Sequence, residues 1–194
     1  MKNLNNEVFI FDNKLTQYHL TELYFYCLKS RYTLEQTNEK FYPGRDLTFS
    51  CHLTQDEFLS LKLTDIISNL IGELRIPLYL TKFYINHYSQ FSYVHRHVDS
   101  SHENNITILF FCNKYWEESW GGELKIYEQS GPFHKVIDFV PGRIIIFDSR
   151  IEHKVLPLTP DAKMDRFSLA IKGVTDKRLC SSEELESSIY IPLF

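Results

Sequence analysis

The chain has 194 residues, of which 43% are hydrophobic and 15% aromatic, and its formal net charge is −4. This composition argues against disorder and predicts one domain (1–194) that buries about 70% of the surface of the unfolded chain. Without a long basic run it gives no indication of nucleic-acid binding, and no apolar stretch approaches the length of a membrane span.

The four cysteines are scattered along the chain without a C-x-x-C pair, and the first residues lack the apolar segment of a secretory signal. We interpret the cysteines as reduced thiols of a cytoplasmic protein, a compartment in which thiols stay reduced. Disulfides or a zinc site are the alternatives. The cysteines are Cys27, Cys51, Cys112 and Cys180.

Residues 1–77 predict a helix-containing part that packs on a sheet. A short strand at Val8 to Phe11 precedes cap residues at Asn13 to Thr16, which begin a helix that ends near Ser30. The periodicity of the helix predicts one apolar face. The residues of that face are Leu20, Leu23, Tyr24, Cys27 and Leu28.

A capping box marks the start of a second helical segment, after a turn at Pro43-Gly44. In the sequence Thr54-Gln55-Asp56-Glu57, the hydroxyl and the carboxylate can each satisfy a free amide of the first helical turn. We expect this segment to break near Thr64 and to end before Pro77, because proline cannot continue a helix.

The region 78–173 predicts strands, and short strands separated by turn residues are typical of a sandwich or jelly roll. Segment 174–194 is predicted to be a tail, which either docks as a final strand or forms a flap over a site. The strand candidates are Leu78–Tyr88, Ile106–Cys112, Glu123–Tyr127, Lys135–Phe139, Arg143–Phe147, Lys154–Leu156 and Phe167–Ile171, with turns at Gly121-Gly122, Ser130-Gly131-Pro132 and Pro141-Gly142.

The motif His97-Val98-Asp99 is the first candidate for chemistry. In an extended strand, residues two apart project to the same face, so this imidazole and carboxylate can converge on one ion. They supply two arms of the facial triad that holds non-heme Fe(II), and His153 after a strand-like run can supply the third. An H-x-H pair of His95 and His97 is the alternative.

Several motifs in this order resemble one enzyme family. H-V-D, W-G-G-E-L, P-G-R-I-I-I-F, the later His and R-F-S resemble the 2-oxoglutarate/Fe(II) dioxygenases, in particular the prolyl-hydroxylase-like branch, over residues 80–173. The resemblance implies a mainly β protein with flanking helices (α+β) around a double-stranded β-helix, which is a cupin-like jelly roll. It also implies Fe(II), 2-oxoglutarate and O2 as cofactors, with ascorbate as a further candidate.

The resemblance assigns roles to individual residues. It implies that His97, Asp99 and His153 bind iron, and that Arg166 and Ser168 bind the cosubstrate. A guanidinium can form a bidentate bond with the distal carboxylate of 2-oxoglutarate, and the serine projects from the same face of its strand. The alternative for the arginine is a surface ion pair near Asp165.

Tyr88 is a third candidate for cosubstrate binding, because it matches a family tyrosine, and Tyr84 is its rival. The chain departs from the family in two places. The strand after H-x-D reads Ile108-Leu109-Phe110-Phe111, without the tyrosine that often occurs there, and the usual glycines after Tyr88 are replaced by Ser89-Gln90-Phe91. A protein-prolyl substrate is therefore not assumed.

The resemblance implies hydroxylation of an unactivated C–H bond, with formation of succinate and CO2. In related halogenases a small residue replaces the aspartate, whereas Asp99 is present here. A compact chain fits a free amino acid or small natural product as substrate. The alternatives are a peptidyl (prolyl-type) or carrier-bound residue and, from another class, a non-catalytic cupin-like metal-binding or sensor protein. The oligomeric state stays open.

Three residues near the predicted site have open roles. His95 or Arg96 is expected at the mouth of the cleft, in contact with a polar or anionic substrate group. Trp120 either lines the cleft or braces the turn at Gly121-Gly122.

Overall fold

A computed structural model of the protein describes residues 4, 7–34, 48–92, 94–127 and 134–192. The helices and strands within these residues are, in chain order, β1 (Val8–Phe11), α1 (Gln17–Lys29), β2 (Thr33–Leu34), β3 (Phe49–His52), α2 (Gln55–Ser60), α3 (Thr64–Leu74), β4 (Leu78–Tyr88), β5 (Asn105–Phe111), β6 (Leu124–Tyr127), β7 (His134–Ile137), β8 (Ile144–Asp148), β9 (His153–Val155), β10 (Arg166–Val174), α4 (Ser182–Glu186) and β11 (Ile189–Ile191).

Two antiparallel sheets form the core of the described structure. The larger sheet has the strand order β1-β8-β5-β10-β4-β3-β2, with β11 also paired to β4, and the smaller has the order β7-β6-β9. The strands predicted between Leu78 and Ile171 all form, although β10 continues to Val174. This arrangement confirms the predicted mainly β architecture with flanking helices.

One apolar layer lies between the two sheets. From the larger sheet it includes Leu109, Phe111 and Phe147, and from the smaller sheet Leu124 and Ile126. Strands β5, β8 and β10 are buried on both faces, which explains why their sequences are nearly continuous apolar runs.

The helices cover the other face of the larger sheet. Leu23 and Cys27 of α1 and Ile67 and Ile71 of α3 are buried in a cluster with the strands beneath them. The prediction for Leu28 is wrong, because 51% of this side chain is exposed. The apolar stripe of α1 is therefore narrower than its sequence suggested, and it ends at the turn that contains Cys27.

The predicted helix ends agree with the structure. Thr16 accepts a hydrogen bond from the backbone of the first turn of α1, and Thr54 forms the expected capping box with Glu57. The second helical segment breaks between Ser60 and Thr64 and ends at Arg75, which adopts a left-handed conformation two residues before the proline.

The carboxyl-terminal segment adds an edge strand. Its strand β11 pairs with β4 through Ile189↔Leu80 and Ile191↔Leu78. None of the described helices has the length and apolar character needed to cross a membrane. Three predicted features lie outside the described residues, namely the turns at Pro43-Gly44 and Ser130-Gly131-Pro132 and the terminal Leu193-Phe194.

Two glycines provide a matched test of the packing of β10. A Cβ atom at Gly173 would lie 2.8 Å from the carbonyl oxygen of Tyr79, whereas one at Gly72 in α3 meets nothing within 4 Å. We expect Gly173→Ala to lower the free energy of unfolding by about 1–3 kcal/mol, because the backbone of β4 must move. Gly72→Ala should raise it by about 0.5–1 kcal/mol, because alanine is the better helix former.

Urea unfolding followed by circular dichroism measures both changes. Equal effects of the two substitutions would show that β10 and β4 are not in the close contact described.

Candidate active site

Two histidines are brought together by an isolated antiparallel bridge. The backbone of His97 donates to the carbonyl of His153 at 3.0 Å, and His153 donates back at 2.9 Å. Asp99 is anchored nearby, since its backbone N–H donates to the carbonyl of Ser149 at 2.9 Å. As a result, one possible ligand atom from each of the three predicted iron ligands lies within 4.8 Å of the others.

Backbone carbonyls orient both imidazoles. Nδ1 of His97 donates to the carbonyl of His95 at 2.8 Å, and Nδ1 of His153 donates to the carbonyl of Ile151 at 2.9 Å. Both rings therefore direct the lone pair of Nε2 towards Asp99, at 3.8 and 3.7 Å from its carboxylate oxygens. Burial lowers the pKa of His153 to about 4, which keeps this ring neutral near pH 7.

Asp99 is held by two residues that the sequence analysis missed. Lys172 forms an ion pair with its carboxylate, and Thr107 donates a hydrogen bond to Oδ2 at 2.7 Å. Burial alone would raise the pKa of Asp99, but its neighbours, of which the Lys172 ammonium has the largest effect, outweigh burial and hold this pKa well below its ordinary value. The carboxylate is therefore ionised throughout the neutral range, as a metal ligand must be.

Arg166 is buried at the start of β10, the strand that also carries Lys172. Its Nε donates to the carbonyl of Gly122 at 2.8 Å and its Nη1 to Oγ of Ser168 at 3.2 Å. Burial lowers the pKa of Arg166 to about 10, so the guanidinium remains charged near neutral pH. The alternative of a surface ion pair is wrong, because the Arg166 side chain is fully buried. The carboxylate of Asp165 pairs with His87 instead, with 2.7 Å between Oδ2 and Nε2.

One nitrogen of the Arg166 guanidinium has no hydrogen-bond partner among the described residues. In the part of the chain that the structure describes, Nη2 of Arg166 is the one buried side-chain nitrogen or oxygen without a hydrogen-bond partner. The rings of Tyr88, Phe111 and Phe139 surround the group, with centroids 4.6–5.0 Å from its central carbon. A planar, charged donor in an aromatic frame suits a carboxylate, which accepts from a guanidinium in a bidentate manner.

The W-G-G motif shapes this frame. Gly122 has a φ of +79°, and a Cβ atom there would lie 3.0 Å from Cδ of Arg166. Gly121 is equally restricted, since its Cβ would lie 2.6 Å from the carbonyl oxygen of Pro157. Trp120 is buried against Trp116 and does not line the cavity, so it braces the turn.

A cavity of about 820 Å³ connects the two ends of the site. The three predicted iron ligands, Arg166, Ser168 and both Tyr88 and Tyr84 line it, together with Asn86, His52, His95 and Lys172. The register places these groups in rows, because Arg166 pairs with Tyr88 and Ser168 with Asn86 across β10 and β4. Leu109 also lines the cavity, and it lies on β5, the strand that lacks the additional tyrosine of the family.

His95 and Arg96 differ in their positions. His95 lines the cavity, whereas Arg96 forms an ion pair with Glu152 and lies over the ring of Tyr127, 4.0 Å from its centroid. Of the two residues expected at the mouth of the cleft, the histidine is therefore the one in the lining.

Residues 83–171 match the family model of the 2OG-Fe(II) oxygenase superfamily. This match covers a little under half of the chain and confirms the predicted resemblance to the superfamily. Iron and 2-oxoglutarate are the cofactors that the motifs predicted and that the matched family uses, and the two imidazoles, the ionised carboxylate and the unpartnered guanidinium nitrogen fit them. No curated protein matches the chain.

Solved structures of this superfamily share the fold. A prolyl-4-hydroxylase from Pseudomonas putida is 16% identical, with a TM-score of 0.66 over 88% of this chain and 94% of that one. A Trichoplax adhaerens prolyl hydroxylase, solved with a peptide fragment of hypoxia inducible factor, is 17% identical, with a TM-score of 0.67 over 94% and 89%.

HygX from Streptomyces hygroscopicus, solved with nickel and 2-oxoglutarate, is 9% identical, with a TM-score of 0.65 over 89% of this chain and 84% of that one. These likenesses confirm the predicted double-stranded β-helix, and two of the three are to prolyl hydroxylases. The roles of individual residues remain predictions.

Metal binding tests the three ligands. We expect Asp99→Ala or His97→Ala to weaken binding of Zn(II), a redox-inert probe, by more than about 100-fold, since even changes outside the ligand set cost 10–100-fold. His95→Ala is the control. It removes the neighbouring imidazole but leaves the backbone carbonyl that accepts the hydrogen bond from Nδ1 of His97. Isothermal titration calorimetry of the apo-protein measures each affinity. Equal losses in His95→Ala and Asp99→Ala would favour the H-x-H pair.

Proposed function

We propose that the protein is an Fe(II)- and 2-oxoglutarate-dependent dioxygenase that hydroxylates an unactivated C–H bond of an amino acid or small natural product. The reaction forms succinate and CO2 from the cosubstrate and incorporates oxygen from O2. The proposed iron ligands are His97, Asp99 and His153. The proposed cosubstrate residues are Arg166, Ser168 and Tyr88.

The unpartnered Nη2 of Arg166 is the observation that carries this proposal. A buried polar group without a partner destabilises a fold by about 1–3 kcal/mol, and by more when the group is charged. Because Arg166 also lines the cavity, we infer that an acceptor from outside the chain completes the bonding of this atom. The distal carboxylate of 2-oxoglutarate has the charge and planar shape that this donor requires.

The remaining residues orient and enclose the reaction. Ser168 adds a hydroxyl beside the guanidinium, and Tyr88 lies across the strand pair from it. Leu109 forms part of the apolar wall, which excludes water. Bound iron supplies the activation of O2, and Asp99 occupies the position that a halogenase leaves to a halide. We therefore propose hydroxylation rather than halogenation.

The size of the cavity supports a small substrate. Its volume of about 820 Å³ is in the range of cavities that enclose small molecules. A peptidyl or carrier-bound residue is the alternative substrate, and the Trichoplax neighbour was itself solved with a peptide. A non-catalytic metal-binding sensor is the alternative from another class.

Anaerobic titration with Fe(II) and 2-oxoglutarate tests the site. We expect a weak visible metal-to-ligand charge-transfer band in the wild type. In Arg166→Ala the affinity for 2-oxoglutarate should fall by more than about 30-fold, because one partner of a buried charge pair is removed. Ser168→Ala should cost less, about five-fold, since it removes a neutral hydrogen bond.

Arg178→Ala is the matched control, because this side chain is 79% exposed and pairs with Asp176 away from the site. Unchanged Zn(II) affinity in Arg166→Ala would show that the variant is folded. A band of normal affinity in that variant would refute the assignment of the cosubstrate anchor.

Turnover separates the classes of function. We expect release of succinate in air to be stimulated by a member of a panel of free amino acids and by no unstructured peptide, because the volume of the cavity suits a small molecule. Liquid chromatography of the products measures both succinate and the oxidised substrate. Stimulation by peptides alone would favour the peptidyl alternative. Iron binding without any substrate-linked decarboxylation would favour the sensor.

A further inference from the structure

Asn113 is a fully buried residue just after the end of β5, and the proposed function so far gives it no role. Its Nδ2 donates to the backbone carbonyl of Asp165 at 2.8 Å, and its Oδ1 accepts from the backbone N–H of Phe167 at 2.8 Å. These are the residues directly before and after Arg166. The carboxamide therefore holds the backbone on both sides of the proposed cosubstrate anchor.

These two hydrogen bonds continue a ladder that the strands themselves do not complete. The pairing of β5 with β10 ends at Phe111↔Ser168, two residues short of Arg166. Beyond this pair, the backbone N–H of Cys112 donates to the carbonyl of Phe167 at 3.0 Å. A carboxamide offers the same kinds of donor and acceptor as a peptide group, so the side chain of the next residue extends the pairing past the end of β5.

Arg166 needs such support because of its position. It is the first residue of β10, and it pairs with Tyr88, which is the last residue of β4. Backbone at the ends of elements opens more readily than backbone in their interior. A bidentate bond to a carboxylate requires the guanidinium to stay within about 0.5 Å of one position. The bonds of Asn113 fix the backbone from which this side chain projects.

The loop that begins at Asn113 also holds the side chain of Arg166. The carbonyl of Gly122 in this loop accepts the hydrogen bond from Nε at 2.8 Å. The indole of Trp116 donates to the adjoining carbonyl of Gly121 at 3.0 Å, which braces the turn. One loop thus fixes both the backbone and the guanidinium of the arginine.

We propose that Asn113 is a positioning residue that acts through Arg166 and makes the site prefer a 2-oxo acid with a distal carboxylate. This inference rests on the proposed function, which assigns Arg166 as the cosubstrate anchor. Asn113 does not itself line the cavity, so its replacement leaves the lining chemically unchanged. Without its bonds the guanidinium loses its fixed orientation. The affinity for the distal carboxylate then falls, whereas binding of the 2-oxo acid group to the metal does not depend on Asn113.

Two 2-oxo acids separate these effects. 2-Oxopentanoate has the five-carbon chain of 2-oxoglutarate with a methyl group in place of the distal carboxylate. Anaerobic titration of the Fe(II)-loaded protein, followed by the charge-transfer band, measures both affinities. In Asn113→Ala and in Asn113→Leu, which keeps the volume of the side chain, the preference for 2-oxoglutarate should fall by at least about ten-fold, as when a group that orients a ligand residue is lost. The affinity for 2-oxopentanoate should not change.

Two further variants distinguish positioning from stability. Thr54→Ala removes a helix cap of α2 away from the cavity, so it lowers stability and should leave the preference unchanged. The double variant Asn113→Ala/Arg166→Ala should show no greater loss of preference than Arg166→Ala alone, because the asparagine acts through the arginine.

The wild-type protein gives a readout that needs no variant. In the Zn(II)-loaded protein, the side-chain NH2 resonances of Asn113 should shift on addition of 2-oxoglutarate and not on addition of 2-oxopentanoate. The reason is that Asn113 is bonded to the two residues that flank the arginine. Unchanged resonances would overturn the inference even where the Asn113 variants fail to fold.

Three outcomes of the titrations would also overturn it. They are a wild-type preference in both Asn113 variants, an equal loss of affinity for the two acids, and a further loss of preference in the double variant. A wild-type protein that shows no preference for 2-oxoglutarate over 2-oxopentanoate would instead refute the role of Arg166, and with it the proposed function.

Discussion

Strand β10 is hydrogen-bonded along both edges, to β5 on one side and to β4 on the other, and the whole site depends on this placement. Since side chains alternate between faces, Phe167, Leu169 and Ile171 pack beneath the helices while Arg166 and Lys172 face the cavity. A slip of one residue would exchange the two faces. The same register therefore builds the apolar core and positions the polar groups.

Burial of a guanidinium is costly, and the local structure offsets the cost in several ways. The carbonyl of Gly122 and the hydroxyl of Ser168 each accept one hydrogen bond, and three aromatic rings pack around the charge. The backbone can approach the guanidinium this closely because residue 122 is a glycine. A side chain at this position would collide with Arg166. The result is a guanidinium held in one orientation, with Nη2 left without a partner among the described residues.

The predicted metal site is organised by backbone hydrogen bonds between residues 97–100 and 149–153. The bridge between His97 and His153 sets the distance between the rings, and two carbonyls set their tautomers. Asp99 is fixed from the other side by Thr107 of β5 and Lys172 of β10. His153 lies on β9 of the smaller sheet, whereas the partners of Asp99 lie on β5 and β10 of the larger sheet. Both sheets therefore position the three residues, and the order of the site depends on the packing of the core.

Much of this arrangement follows from local sequence patterns. The alternation of β4, the capping box at Thr54 and the H-x-D motif each depend on residues within a few positions of one another. Sequence order also indicated His153, Arg166 and Ser168 through the family resemblance. The exposed Leu28 shows the limit of such patterns, because helical periodicity shows which residues share a face but not how wide a stripe the neighbouring sheet will cover.

The pairing of Lys172 with Asp99 was decided by the tertiary structure alone. The period of two along β10 could have placed the lysine on the same face as Arg166, but its partner lies 73 residues away in the sequence. Only the sheet order, with β10 between β5 and β4, brings the two side chains together. Sequence by itself determined the elements, because these depend on short-range periodicity, and it indicated most candidate ligands through the order of its motifs. The structure decided which distant residues share the cavity, because that depends on which strands are neighbours.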